Sequence, residues 1–170
     1  MKSAIGTFIA FLVIGMPFGG IAVGQSSSAT KANIEFAQKD KEVWSTGNLA
    51  LADEIYSKDI IRHVAGQPPS VGLESYKQIL LGTRKAFPDW TQTIENIIAS
   101  DDLVVSKMTL SGTMTGPLRN MPPTGMSVKV PCASVYRIAG GKIAEIWVYY
   151  DSVLFLKAFG YSILPPPPSK

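Results

Sequence analysis

Residues 128–150 read VKVPCASVYRIAGGKIAEIWVYY, and they contain the clearest secondary-structure pattern in the chain. Apolar and polar residues alternate through both halves of this stretch, which is the period of a β-strand with one buried face. The connection Ala139-Gly140-Gly141 is long enough only for a tight turn between antiparallel strands. The stretch therefore predicts a β-hairpin with strands at Val128–Ile138 and Lys142–Tyr150.

The same two-residue period extends upstream to Pro88 and predicts two more antiparallel strands, at Thr91–Ala99 and Leu103–Thr115. Before Pro88 the period is close to 3.6 and predicts helices. The elements predicted before Pro88 are a helix at Thr30–Thr46, a short helix from Leu49, a short strand at Ile60–His63 and a helix at Gly72–Ala86. A closing helix at Asp151–Phe159 is predicted after the last strand. Helices followed by a long meander predict an α+β fold, in which the helices cover one face of a strongly curved, mainly antiparallel sheet around a cone-shaped cavity.

The composition describes one globular domain rather than a disordered chain. Of the 170 residues, 46% are hydrophobic and 17% are charged, which is enough to build a core. The formal charge of +3 comes from scattered lysines and arginines, whereas a nucleic-acid site needs them clustered. We therefore predict a single domain over residues 25–164 with a proline-rich tail at 165–170, and no nucleic-acid partner.

Residues 1–24 have the sequence pattern of a secretory signal peptide: Lys2, an apolar stretch, and then small residues before a polar segment. A retained membrane anchor is the alternative, because 5–23 is nearly long enough to span a bilayer. Pro17 and the neighbouring glycines interrupt such a helix, which favours cleavage. We expect an exported protein, periplasmic or secreted, that has no membrane association once the signal is removed.

One face of the last predicted strand carries the candidate chemistry. Glu145, Trp147, Tyr149 and Asp151 alternate onto it. An aromatic wall that ends in a carboxylate suits a flat, carbonyl-bearing ligand, and burial would raise the pKa of that acid toward the working pH. Asp151 is equally suited to cap the helix that follows it, and the residues alone leave both interpretations open.

His63 is the only histidine, and it ends a short strand before a proline-rich loop. It could polarise a carbonyl or move a proton, although a lone histidine there is more often a surface hydrogen-bonding residue. One histidine and one cysteine, Cys132, stand far apart without an acidic cluster, so we predict no metal site. The sequence holds neither a nucleotide-binding glycine motif nor a nucleophile elbow.

Several segments together resemble the SnoaL-like polyketide cyclase (ester cyclase) family, of the nuclear-transport-factor-like superfamily that includes ketosteroid isomerase. The segments that carry the resemblance are Val43–Leu49, Tyr56–His63, Ala86–Asp89, Gly112–Gly116 with Pro122–Gly125, and Trp147–Gly160. The resemblance implies a cone-shaped α+β barrel with its pocket between sheet and helices. It also implies an intramolecular aldol condensation without metal or cofactor.

The resemblance assigns an acid/base role to the aspartate at the end of the last strand, which is Asp151 here, and places Trp147 and His63 in the pocket. Alternation adds Tyr149. The predicted site therefore has catalytic residues Asp151 and His63, with the substrate-binding residues Trp147, Tyr149, Trp44 and Met114.

The predicted function is a cyclase or isomerase-type reaction on a small apolar carbonyl compound, with no cofactor. An exported small-ligand binding protein without turnover is the alternative, because Met114 and Ile146 stand where many relatives have histidine. Epoxide hydration ranks lower, since it needs an Asp-Arg-Asp arrangement and alternation aims Arg62 away from His63. A homodimer that covers the exposed sheet face is also expected.

Overall fold

The computed structural model describes residues 28–162, and its helices and strands follow the predicted order. The elements are α1 (Ser28–Thr46), α2 (Leu49–Ile55), β1 (Tyr56–Val64), β2 (Ser70–Val71), α3 (Leu73–Ala86), β3 (Thr91–Ser100), β4 (Leu103–Thr113), β5 (Ser127–Ala139), β6 (Lys142–Tyr150) and α4 (Ser152–Lys157). The predicted signal (1–24) and the tail (165–170) lie outside the described residues.

The six strands form one open sheet in the order β2-β1-β6-β5-β4-β3. Every neighbouring pair is antiparallel except β1 and β6, which run parallel with His63 opposite Trp147. The helices pack on one face of this sheet, and the predicted α+β cone fold is confirmed. Within the described residues, no helix is both long and apolar enough to cross a membrane.

Most predicted boundaries agree with the structure to within two residues, and β6 agrees at both ends. The largest difference is β1, which begins at Tyr56 rather than Ile60 because α2 ends at Ile55 and the chain turns directly into the sheet. The two prolines of Gly66–Ser70 predict an irregular segment, but its last residue, Ser70, forms the short strand β2 with Val71 and pairs with Arg62 of β1. This pairing covers the outer edge of β1.

The helix junctions follow from local chemistry. Gly47 has φ +77° and its N–H donates to Val43 O at 2.8 Å, so α1 ends in the left-handed conformation that glycine adopts without strain. Asn48 then caps α2, its side chain accepting from Leu51 N at 3.1 Å. These two adjacent residues form the turn between α1 and α2.

The loop after β4 is tied to the end of α3. The N–H groups of Thr115 and Gly116 both donate to Ala86 O at 3.0 Å. A Cβ added at Gly116 would overlap the carbonyl oxygen of Lys85, well inside contact distance. Only glycine therefore permits this approach of two backbones.

We predict that Gly116→Ala destabilises the protein by about 1–3 kcal/mol, because the backbone carbonyl of Lys85 cannot move aside as a side chain would. Gly82→Ala is the matched control: Gly82 lies inside α3 with nothing within 4 Å of the added Cβ, so alanine should stabilise by up to about 1 kcal/mol. Urea unfolding of both variants measures the difference. Equal stabilities would contradict the close approach at Gly116.

Candidate functional site

A cavity of about 710 Å³ lies between the inner face of the sheet and helices α1, α3 and α4. One end is polar and contains Asp40, Arg62 and Tyr76. The walls are mostly aromatic and aliphatic, and they include Trp44, Phe87, Trp90, Leu110, Ile146, Val148, Tyr150 and Phe155. A deep polar end with apolar walls is the usual form of a small-molecule site.

Asp40 reaches the cavity because it lies on the buried face of α1. The residues of that face, Ala37, Asp40, Val43 and Trp44, are spaced three and four apart, so they share one side of the helix. Asp40 is only 3% exposed. A carboxyl in this position needs hydrogen-bond partners, because burying an ionised carboxylate without any partner costs on the order of several kcal/mol.

Three tyrosyl hydroxyls supply those partners. Tyr56 donates to Asp40 Oδ1 at 2.5 Å, and Tyr136 donates to Oδ2 at 3.0 Å. The Tyr76 hydroxyl lies 3.2 Å from Oδ1 and 3.3 Å from the Tyr56 hydroxyl, and its single proton can go to either one. Trp44 Nε1 in turn donates to Tyr76 at 2.8 Å. We call these five residues the Asp40 network.

Burial raises the pKa of Asp40 above its usual value of 3.8, against the opposing effect of the three tyrosyl hydrogen bonds and of the Arg62 charge. Burial and the neighbouring Asp40 carboxyl also raise the pKa of Tyr76, so its hydroxyl keeps its proton. Tyr56 and Tyr136 are affected in the same way. The site thus combines a carboxyl whose pKa is raised by burial with tyrosyl hydroxyls that stay protonated and can donate hydrogen bonds to it.

Arg62 enters the same cavity from β1. Its guanidinium lies over the Trp44 ring, with Cζ 5.7 Å from the ring centroid. Its Nε is buried and has no hydrogen-bond partner among the described residues. A buried N–H of a cation without an acceptor can bind an oxygen atom of a ligand.

Helix α4 closes one side of the cavity with Phe155 and Leu156. Phe155 packs against Tyr150, with ring centroids 5.7 Å apart, and against Phe159, at 5.0 Å. Asp151 caps this helix: its Oδ1 accepts from Leu154 N at 2.8 Å. The structure therefore shows the capping interpretation of Asp151. Its side chain is exposed and does not line the cavity, which corrects the predicted enclosed position.

Trp147, Tyr149 and His63 also lie away from the cavity, on the outer face of the sheet, and this corrects the predicted pocket wall. Alternation along β6 correctly divides its side chains into two faces. The face that lines the cavity, however, is the one with Ile146, Val148 and Tyr150. The reason is visible in the sequence, because Glu145 is in phase with Trp147 and Tyr149, and a charged residue favours the exposed face.

The outer face has a polar cluster of its own. The His63 ring stacks on Trp147, with centroids 5.4 Å apart and planes 7° apart. His63 Nε2 lies 2.8 Å from Glu145 Oε1, and Arg137 donates to Glu145 Oε2 at 3.0 Å. The hydrogen bond with His63 and the Arg137 charge lower the pKa of Glu145. This cluster fixes the orientation of His63 away from the cavity.

Two further predicted residues have different positions. Trp44 lines the cavity and belongs to the Asp40 network. Met114 is fully buried, but it lies outside the cavity lining, where its backbone pairs with Gly125 and Met126. Among residues 28–162, no group of three or more His, Cys, Asp or Glu side chains is arranged to hold a metal ion.

Sequence reasoning missed Asp40, although a signal was present. Asp40 lies three residues after Ala37 and four before Trp44, on the buried side of α1, whereas the neighbouring Lys41 is exposed. An acid in the middle of an apolar helix face is the pattern that would have identified it. Arg62 lies on the face of β1 opposite His63, as alternation predicts, and this is the face that lines the cavity.

A family model, SnoaL-like polyketide cyclase, matches residues 34–158. Among solved structures, the chain resembles a protein assigned as a SnoaL-like polyketide cyclase from Jannaschia sp. CCS1, with 21% identity over 84% of this chain and 99% of that one, and a TM-score of 0.76. It also resembles a protein assigned as a polyketide cyclase from Acidithiobacillus ferrooxidans, with 27% identity, 79% and 97% coverage and a TM-score of 0.68.

A third similar structure is IdmH from Streptomyces antibioticus, also assigned as a polyketide cyclase, with 25% identity, 76% and 99% coverage and a TM-score of 0.66. No protein with a curated description matches the sequence significantly. The structural matches extend over nearly the full length of each relative, so the likeness concerns the whole domain rather than one motif.

The buried carboxyl predicts a characteristic pH dependence of stability. Because the pKa of Asp40 is raised in the folded state, the folded protein holds that proton more tightly than the unfolded chain does. This contribution is full below pH 3.8 and is lost as the pH rises through the folded pKa. Each unit of difference between the two pKa values corresponds to about 1.4 kcal/mol.

We therefore predict that the unfolding free energy of the wild type, minus that of Asp40→Asn, falls as the pH rises from about 3.5 to 8. Asparagine keeps the shape and an acceptor oxygen but does not titrate, so the subtraction isolates this carboxyl. Urea unfolding at a series of pH values measures it. A difference that stays constant or increases with pH would show that the pKa of Asp40 is not raised.

Proposed function

The chain belongs to the SnoaL-like polyketide cyclase family, and from this we propose that it is a cofactor-free acid–base enzyme acting on a small apolar carbonyl compound. The reaction is an aldol-type ring closure or a related isomerisation inside the cavity. The proposed acid/base group is Asp40, in place of Asp151, which the sequence suggested.

The observation that supports this proposal is the placement of Asp40 and Arg62 in one cavity. The carboxyl is 3% exposed and burial raises its pKa above 3.8, so it holds a proton more readily than an exposed aspartate does. The Arg62 Nε–H has no partner among the described residues and can donate to a carbonyl oxygen. A base and an oxyanion donor are the two groups that enolate chemistry needs.

The proton transfers balance without any further reagent. Asp40 takes a proton from the carbon next to a carbonyl, and the C–H electron pair moves into the enolate, whose oxygen Arg62 stabilises. The enolate carbon then bonds to a second carbonyl carbon of the same molecule. The resulting alkoxide takes the proton back from Asp40, so the carboxylate is regenerated.

The rest of the cavity favours this chemistry. Most of its wall residues are aromatic or aliphatic, and apolar surroundings strengthen the electrostatic effect of Arg62 on a developing negative charge. The three tyrosines of the Asp40 network hold the carboxyl in one orientation from three different elements, β1, α3 and β5. Preorganisation of this kind lowers the cost of proton transfer.

A small-ligand binding protein without turnover is the second candidate, and one observation favours it. Both oxygens of Asp40 already accept hydrogen bonds, Oδ1 from Tyr56 and Oδ2 from Tyr136. A carboxyl engaged in this way could serve only to connect helix and sheet. Ligand binding without proton transfer would support this alternative.

Export and assembly stay predictions. The proposed export signal lies outside the described residues. The outer face of the sheet, where Tyr149 is 50% exposed, is where a second copy would pack if the expected homodimer forms. Neither is needed for the proposed reaction.

The proposed function is tested with 2-tetralone, a flat ketone with acidic α-protons, by following deuterium incorporation from D₂O with proton NMR. We expect the wild type to accelerate exchange and Asp40→Asn to slow it by about 10²–10⁴-fold, the usual contribution of a positioned acid/base group. Asp151→Asn is the matched control, since asparagine caps helices as well as aspartate does. It should exchange at the wild-type rate.

The two variants separate the competing assignments. Loss of exchange in Asp151→Asn with wild-type exchange in Asp40→Asn would overturn the role proposed for Asp40. Binding of 2-tetralone to the wild type without faster exchange would favour the binding protein. Circular dichroism of each variant checks that the fold is kept.

A further inference from the structure

Two polar side chains in the cavity wall have no hydrogen-bond partner among the described residues. Trp90 is 6% exposed and Gln92 is 7% exposed, and both line the cavity. The unpartnered atoms are Trp90 Nε1, a donor, and Gln92 Oε1, an acceptor. Leaving such groups unpaired in the interior is costly, and native proteins contain few of them.

The positions of both side chains follow from the start of β3. They are two residues apart, so they point to the same face of the extended chain with Cβ atoms about 7 Å apart. Gly112 lies against the Cε3 edge of the Trp90 ring, where an added Cβ would be 3.2 Å away. The Nε1 atom is on the opposite edge of the indole, directed away from Gly112.

This pair lies far along the sheet from Arg62 but closer to Asp40: Gln92 N donates to Ser45 Oγ at 3.2 Å, and Ser45 follows Asp40 on α1 by about 7.5 Å of helix. Arg62 is on β1, and the order β1-β6-β5-β4-β3 places four strand spacings, each about 4.8 Å, between it and β3. Because the sheet is curved, β1 and β3 both contribute to one cavity. A ligand that reaches both sets of residues must carry polar atoms at two separate positions.

We propose that Trp90 and Gln92 form a subsite for a hydroxyl group, so that the substrate is a hydroxylated carbonyl compound. A hydroxyl oxygen accepts from Trp90 Nε1 while its proton goes to Gln92 Oε1, which satisfies both atoms with one group. The inference rests on the proposed function, since it assumes that the carbonyl end of the ligand lies at Asp40 and Arg62.

The test compares two probes that differ by one group, 2-tetralone and 6-hydroxy-2-tetralone, by isothermal titration calorimetry. We expect the wild type to bind the hydroxylated probe about tenfold more tightly, the usual effect of completing a hydrogen bond to a buried group. In Trp90→Phe and in Gln92→Leu the ratio of the two dissociation constants should fall to near one. Binding of 2-tetralone itself should change little.

Gln78→Leu is the matched control, because Gln78 also lines the cavity but is exposed. It should keep the tenfold preference. A third probe, 6-methoxy-2-tetralone, accepts a hydrogen bond but cannot donate one. It should bind less tightly than the hydroxylated probe in the wild type.

The ratio of the two dissociation constants is measured on the wild-type protein, so a variant that folds poorly does not prevent a decision. Equal affinities of the wild type for the two tetralones, or a preference that persists in both Trp90→Phe and Gln92→Leu, would overturn the hydroxyl subsite while leaving the proposed function intact. If neither tetralone binds the wild type, the proposed function fails as well, and the hydroxyl subsite with it.

Discussion

The hydrogen bonds that converge on the Asp40 carboxyl are the constraint on which the rest of the structure depends. Asp40 comes from α1, Tyr56 from β1, Tyr76 from α3 and Tyr136 from β5, so one carboxyl connects two helices to two strands. A buried acid is tolerated only when donors surround it, and removing one partner leaves the others uncompensated. The angle between the helices and the sheet is therefore coupled to the geometry of the polar end of the cavity.

This coupling explains how a small domain keeps a polar site in its interior. Burial raises the pKa of Asp40, and Asp40 also lines the cavity. The pKa values of the tyrosines are raised too, so their hydroxyls stay protonated and can donate hydrogen bonds. Arg62 adds a positive charge to the same cavity, with its guanidinium over the Trp44 ring. The acid–base reaction proposed above would use only these side chains and the substrate.

The sequence predicted the fold well and the site poorly, for a physical reason. Alternation along β6 identifies the two sets of side chains, but which set faces the helices depends on tertiary packing, and both sets contain aromatic residues. The sequence left two interpretations of Asp151 open, an acid/base group and a helix cap. The hydrogen bond from Leu154 N to its side chain shows that Asp151 caps α4. Asp40 could have been found from its place between Ala37 and Trp44, whereas its three tyrosine partners come from distant segments that only the folded chain brings together.

The most direct test of this account is the titration of Asp40 itself. In ¹³C-labelled protein, the chemical shift of the Asp40 carboxyl carbon, assigned by its absence in Asp40→Asn, reports its protonation across pH. The account predicts a midpoint clearly above the usual 3.8, because burial outweighs the tyrosyl hydrogen bonds. A midpoint at or below 3.8 would show that Asp40 is an ordinary ionised carboxylate held for structure alone, and the proposed proton transfer would lose its acid.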